Sequence, residues 1–145
     1  MVMLTLVTQL KDDVRDYFKT NTEYSNILVK EEFEKYPKIS YPAITIAEIE
    51  NEDNSRFFDE TERVSNLAYQ FSIFAEQSVD KTAVQNVREI ANILDTYLKG
   101  PKYRCLRRLG SLAITPLPSD DNIIVGYLRY DCSLEINTNT IYRRS

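Results

Sequence analysis

The sequence predicts an α+β domain, a mainly antiparallel sheet of four to five strands with two helices packed on one face. Three observations predict it. Two long stretches alternate apolar and polar side chains, the period that sends neighbours to opposite faces of a strand. Two others repeat apolar residues every three or four positions, the period of a helix with one buried stripe. Their order along the chain is helix, strands, helix, strands, so both helices serve one sheet.

The alternating stretches are RVSNLAYQFSIFAE, residues 63–76, and residues 123–136. In the first, Leu67, Tyr69, Phe71, Ile73 and Ala75 share a face, and Phe74 is the one large apolar residue on the other side, where it needs cover. In the second, Ile124, Leu128, Tyr130, Cys132, Leu134 and Ile136 share a face. Val125, Tyr127, Arg129, Asp131, Ser133 and Glu135 take the opposite one, so Cys132 reads as a small buried residue.

The first helical stretch runs from about Met3 to Lys19, with Leu4, Leu6, Val7, Leu10, Val14, Tyr17 and Phe18 on its apolar side and the TNT run at 20–22 stopping it. NILVKEEF, residues 26–33, reads as a short strand with Ile27 and Val29 inward, or as an extended arm. Pro37 and Pro42 force extended backbone and remove ladder donors, so the next strand begins no earlier than Ala43 and is placed at Ala43–Glu50. NEDNS, residues 51–55, supplies the turn into the long strand, and the two strands pair antiparallel. The second helix carries Ala83, Val84, Val87, Ile90, Ala91, Leu94, Tyr97 and Leu98 on one face and Gln85, Arg88, Glu89, Asn92 and Asp95 pointing away, with Asp80 placed to cap its start and Gly100-Pro101 to end it. After it, a β reading wins from Leu109 to Pro116, ahead of the turn PLPSDDN and the last long strand.

Composition excludes several classes of function. The 145 residues fit one domain, and 43% hydrophobic with 28% charged residues is ordinary for a globular chain. There is no His, the two cysteines are far apart, and three glycines do not build a phosphate loop, so no metal, cofactor or nucleotide site is expected. Paired carboxylates such as Glu60 and Glu62 stand without a nearby base or nucleophile, and the chain is not expected to be an enzyme. The acidic hairpin, Glu48, Glu50, Glu52, Asp53, Asp59, Glu60 and Glu62, lacks the spacing of a calcium loop and reads as a solvated face. The apolar start is too short for a signal peptide and no segment is long enough for a membrane span, so the expectation is a protein made in the cytoplasm with no membrane partner.

A formal charge of −4 argues against general duplex binding. The one basic group, Lys99, Lys102, Arg104, Arg107 and Arg108, suits an acidic partner surface, or phosphate if stacking aromatics accompanied it. Adjacent Phe57 and Phe58 point to opposite faces of a strand, so one must find cover from a loop or another chain. Ile141 and Tyr142 form an apolar pair in a polar tail that docks on a neighbour or stays mobile. Strands of about fourteen residues reach ~45 Å, more than two helices cover. Spare sheet of that kind is a template for assembly, so a subunit of a larger structure is expected. The candidate interface residues are Phe57, Phe58, Arg104, Arg107, Arg108, Ile141 and Tyr142.

YPAITIAEIEN, then ERVSNLAYQFSIFAEQ, then KTAVQNVREIANILDTYLKG resembles the tail terminator, or tail-completion, proteins of long-tailed phages, a family of small minor structural proteins. The resemblance spans most of residues 1 to 140 in order of elements. It implies a ring, commonly a hexamer, that caps the tail tube, ends its polymerisation and offers the joining surface for the head. The implied partners are other copies of the chain, the tail tube protein and a head-side connector protein, in the tail of a virion. DNA would pass through the channel without specific binding, since an acidic wall repels phosphate. A place at the head-side connector, or a small ligand-binding α+β domain, are the alternatives.

Overall fold

The computed structural model describes residues 2–32, 35, 40–53, 64–135 and 140–143. Helix α1 (Val2–Asn21) buries Leu6, Leu10, Val14 and Phe18, as its three- and four-residue spacing demands. Its end is closed by side chains: the Thr22 hydroxyl donates to the Phe18 carbonyl at 2.8 Å and the Asn21 amide to that of Tyr17 at 3.3 Å. The TNT run therefore stops the helix by taking over its last carbonyls. Helix α2 (Ala83–Leu98) starts two residues later than a cap at Asp80 would require. Thr82 is the cap, because it is followed at the third helical position by Gln85. The Gln85 N–H donates to the Thr82 hydroxyl at 3.2 Å and the Thr82 N–H to the Gln85 side-chain oxygen at 2.8 Å, a reciprocal pair that Asp80 has no partner to make.

The strands are β1 (Leu28–Glu31), β2 (Ala43–Asp53), β3 (Val64–Ala75), β4 (Arg107–Leu117), β5 (Asp120–Glu135) and β6 (Thr140–Tyr142). They form one sheet in the order β1-β2-β3-β5-β4, with β6 also on β5. All neighbours are antiparallel except β1 and β2. The fold is thus α+β, and the described residues form two helices and a mostly antiparallel sheet, of six strands where four to five were expected. Within NILVKEEF, Leu28–Glu31 form a strand with Val29 buried and Ile27 buried just ahead of it, and the pair in the tail, Ile141 and Tyr142, completes a short ladder on Ser133 and Leu134. Strand β2 continues through Glu52 and Asp53, so Asn51–Asp53, expected in the turn, belong to the strand, and Asn54 and Ser55 lie outside the described residues.

Register explains the core. Ile44 lies opposite Ile73, Ile46 opposite Phe71, Phe71 opposite Leu128, and Leu67 opposite Cys132. All of these are at most 2% exposed, and α1 and α2 cover them from the same side. Phe71 and Tyr130 meet edge to face at 5.6 Å, and Tyr17 of α1 stacks on Tyr97 of α2 at 4.5 Å. A glycine sits where α2 comes closest to the sheet: a Cβ on Gly126 would lie 2.5 Å from Cγ1 of Val87.

Candidate subunit interface

Polar contacts centred on Asp13, Asp95 and Asp131 tie the elements together and use up most of the basic group between 99 and 108. Asp95, expected to point away from the core, is instead buried, because it accepts from the Tyr130 hydroxyl at 2.7 Å, from Lys99 Nζ at 2.9 Å and from Arg108 Nη1 at 3.2 Å. Burial pushes the Asp95 carboxyl up, but these donors outweigh it and hold it below the usual carboxylate range. Asp13 of α1 accepts from the Tyr103 hydroxyl at 2.6 Å and pairs with Lys102 at 2.7 Å. Arg107 grips both oxygens of Asp131 with its Nε at 3.1 Å and Nη2 at 2.9 Å. Burial pushes the hydroxyls of Tyr69, Tyr103 and Tyr130 well up, so all three stay protonated donors. Of the five basic residues, Arg104 alone is exposed with no ion pair among the described residues.

Among the described residues the opposite face of the sheet carries no helix. Rows of residues cross it in register: Lys30, Thr45, Ser72, Tyr127 and Ala113, then Ala47, Gln70, Arg129 and Leu109. Two open recesses of about 350 and 420 Å³ lie along these rows and share Gln70 and Tyr127. The face is not bare throughout. Ala43, Val125, Asp131 and Glu135 are buried although their alternation points them outward, and Phe74 is half-covered, with the Tyr41 ring 6.4 Å away. Part of that shelter comes from side chains lying flat on the sheet, as Arg107 does on Asp131 and Arg129 on Gln70 at 2.8 Å. Exposure is concentrated toward β4, where Leu109, Ser111, Ala113 and Thr115 are open to solvent.

At both margins of the sheet a stretch has no further strand beside it among the described residues. β4 is the last strand in the order, with β5 on one side and nothing on the other. At the other margin β1 covers β2 only at Ala43–Ile46, with the Glu32 N–H closing on the Ile46 carbonyl at 2.9 Å. Among the described residues no strand pairs with residues 47–53 of β2 on that side. Each open stretch contains a bulge. Ile49 is the extra residue of β2 between Glu48, opposite Tyr69, and Glu50, opposite Ala68. In β4 the register breaks between Leu109 and Ala113, where Gly110 adopts a φ of 72°. The bulges turn aliphatic side chains into solvent: Ile49 is 46% and Leu109 37% exposed. Burial raises the Glu48 carboxyl, against the lowering effect of Asn51 and of the Tyr69 hydroxyl, 3.5 Å away.

No protein-family model matches the chain, and no curated protein matches it.

The residues singled out from sequence are scattered over this frame. Phe57 and Phe58 lie outside the described residues. Arg104, Arg107 and Arg108 sit at the start of β4, with Arg107 and Arg108 already paired inside the chain. Ile141 is half-buried on β5 and Tyr142 is 52% exposed beside Ser133. Sequence reasoning missed Ile49 and Leu109. Ile49 did leave a signal: it breaks the alternation set by Ile44 and Ile46, which is what a bulge does to a strand. Among the described residues no group of three or more His, Cys, Asp or Glu is placed to hold a metal, and no helix is long and apolar enough to cross a membrane.

Proposed function

We propose that this chain is the subunit of a structural ring that caps the tail tube of a phage, ends its polymerisation and provides the joining surface for the head. The reading begins from the resemblance in YPAITIAEIEN, ERVSNLAYQFSIFAEQ and the helix that follows. What carries it physically is the margin formed by β4: eleven residues long, largely solvent-exposed and unpaired on one side among the described residues. A long strand edge is a hazard to a monomer and an asset to an assembly, since its unused N–H and C=O groups are ready for another chain. Closed rotational symmetry uses such an edge up and leaves nothing to recruit further copies. The formal charge of −4 per copy suits a ring through which DNA slides without sticking.

Light scattering and electron microscopy of the purified chain test this, alone and with polymerising tube protein. The expected result is a ring, commonly of six copies, that shortens or stops tube growth when added. A chain that stays monomeric at high concentration and leaves tube length unchanged refutes the reading. Cross-linking to tube protein rather than to connector protein places the ring at the tail end.

A further inference from the structure

We propose that copies join head to tail through a loop tip and a recess, with Val79 and Asp80 of one copy seated against Leu109 and Arg129 of the next. The proposal rests on the ring reading above and names the surfaces that would make the ring. Val79 and Asp80 lie between β3 and α2. Val79 is 100% exposed, and Asp80 is exposed with no hydrogen bond or ion pair among the described residues. Because Thr82 caps α2, Asp80 has no part in starting that helix. The base of the loop, by contrast, is held from several sides. The Ser78 N–H donates to the Lys81 carbonyl at 2.9 Å, and the Asn86 amide donates to the Glu76 carbonyl at 3.0 Å and to the Ser78 hydroxyl at 3.2 Å. Lys81 pairs with Glu23 at 2.8 Å and with Glu89 at 2.6 Å. A turn fixed in this way holds an aliphatic and an acidic side chain out in water, already ordered for a partner, which lowers the entropy lost on binding.

The larger recess on the helix-free face has the complementary chemistry. It is lined by Gln70, Leu109, Ser111, Ala113, Tyr127 and Arg129, of which Arg129 alone is charged. The Arg129 Nε–H donates to the Gln70 side-chain oxygen at 2.8 Å, and no carboxylate pairs with this guanidinium among the described residues. The next outward-facing acid on β5, Asp131, is gripped by Arg107. A guanidinium has five N–H donors in a fork that fits both oxygens of a carboxylate, and the Gln70 contact uses one. Asp80 of a second copy supplies that carboxylate. Leu109, 37% exposed, and Ala113 supply the apolar ground for its neighbour Val79. Leu109, Ser111 and Ala113 belong to β4, so a copy seated here lies against the open margin from which the ring reading starts. Tip and recess are different surfaces, so each copy gives one and receives one, and the contact repeats until rotation closes it.

Native mass spectrometry and sedimentation of Asp80→Lys, Arg129→Glu and the double variant carrying both test the join, with thermal melts checking that each remains folded. Each single reversal sets like charges together at every contact and should weaken self-association by at least about tenfold. The double variant restores opposite charges and should assemble again. Val79→Asp, at a wholly exposed position, should weaken assembly without lowering the melting temperature. If wild-type rings form and folded Asp80→Lys or Val79→Asp assembles as wild type does, or the folded double variant stays monomeric, the proposed join is wrong while the ring stands. Single variants that keep the ring but no longer stop tube growth assign the recess to tube protein and overturn the join as well. A wild-type chain that never associates refutes the ring reading and this join with it.

Discussion

Gly126 offers a direct test of how α2 sits on the sheet. It lies opposite Ile73 on the helix-covered face, where a Cβ would stand 2.5 Å from Val87 Cγ1 and 3.1 Å from Leu112 Cδ1. Carbon atoms rest about 3.5–4.0 Å apart, so Gly126→Ala drives Val87 back by roughly 1 Å. Val87 is fully buried, and its helix is held at both ends, by Asn86 donating to the Glu76 carbonyl and by Asp95 accepting from Tyr130. With no slack, the substitution should cost ~1–3 kcal/mol, the usual range for overpacking. Val87→Ala removes two buried methyl groups and should cost about 2 kcal/mol by itself. Together they should not add, because the new methyl at 126 occupies the space that Val87 gives up. Urea unfolding of the four proteins should show a coupling of about 1–2 kcal/mol in the rescuing direction. Costs that add to within about 0.5 kcal/mol, or a Gly126→Ala protein as stable as wild type, would refute this packing.

Three further outcomes follow from the polar contacts. Asp95→Asn should cost about 2 kcal/mol at neutral pH, since three donors lose a charged acceptor. The carboxyl is held below its ordinary range in the folded chain, so its contribution is present above the unfolded value, about pH 4, and lost as the pH falls through the folded one. Urea titrations should therefore show the gap between wild type and Asp95→Asn closing in acid, and a gap constant with pH would contradict the assignment. Thr82→Ala removes one half of the capping box and should cost ~1 kcal/mol in the same assay, whereas Asp80→Ala should be nearly silent. Tyr103→Phe leaves Asp13 its Lys102 partner but takes away the 2.6 Å hydrogen bond; hydrogen exchange should then quicken in α1 more than in α2.

What the sequence made legible was whatever has a period. The core faces of β3 and β5, both helices, and the burial of Cys132 follow from spacing alone, because one face of each element is packed and a slip by one residue would expose it. Strand count was less legible. β1 and β6 are four and three residues long, too short to show a period, and each exists because a longer strand offers it an edge. The cap of α2 turned on Gln85: Asp80 and Thr82 are both acceptable caps in isolation, and only the residue three places on from Thr82 decides between them. Outward positions were the least legible. Asp131 and Glu135 alternate as surface residues but are buried, Asp131 because an arginine from the neighbouring strand lies over it, and no local pattern in residues 123–136 announces that neighbour.

The same limit governs the candidate interface. A cluster of Lys and Arg between 99 and 108 looks like a surface for phosphate or an acidic partner when counted along the chain. In the fold, four of its five members face carboxylates of their own chain, at Asp13, Asp95 and Asp131, and those partners come from elements as distant as α1. Charge read along a sequence therefore overstates what is left for a partner, whereas an unpaired strand edge is not diminished in this way, because only another strand satisfies a row of backbone groups. The bulges at Ile49 and at Leu109–Ala113 limit indiscriminate pairing, since a flat edge would accept any strand and a bulged one is selective. The β4 edge, long, open among the described residues and yet bulged, is what the proposed ring subunit needs if it is to pair selectively.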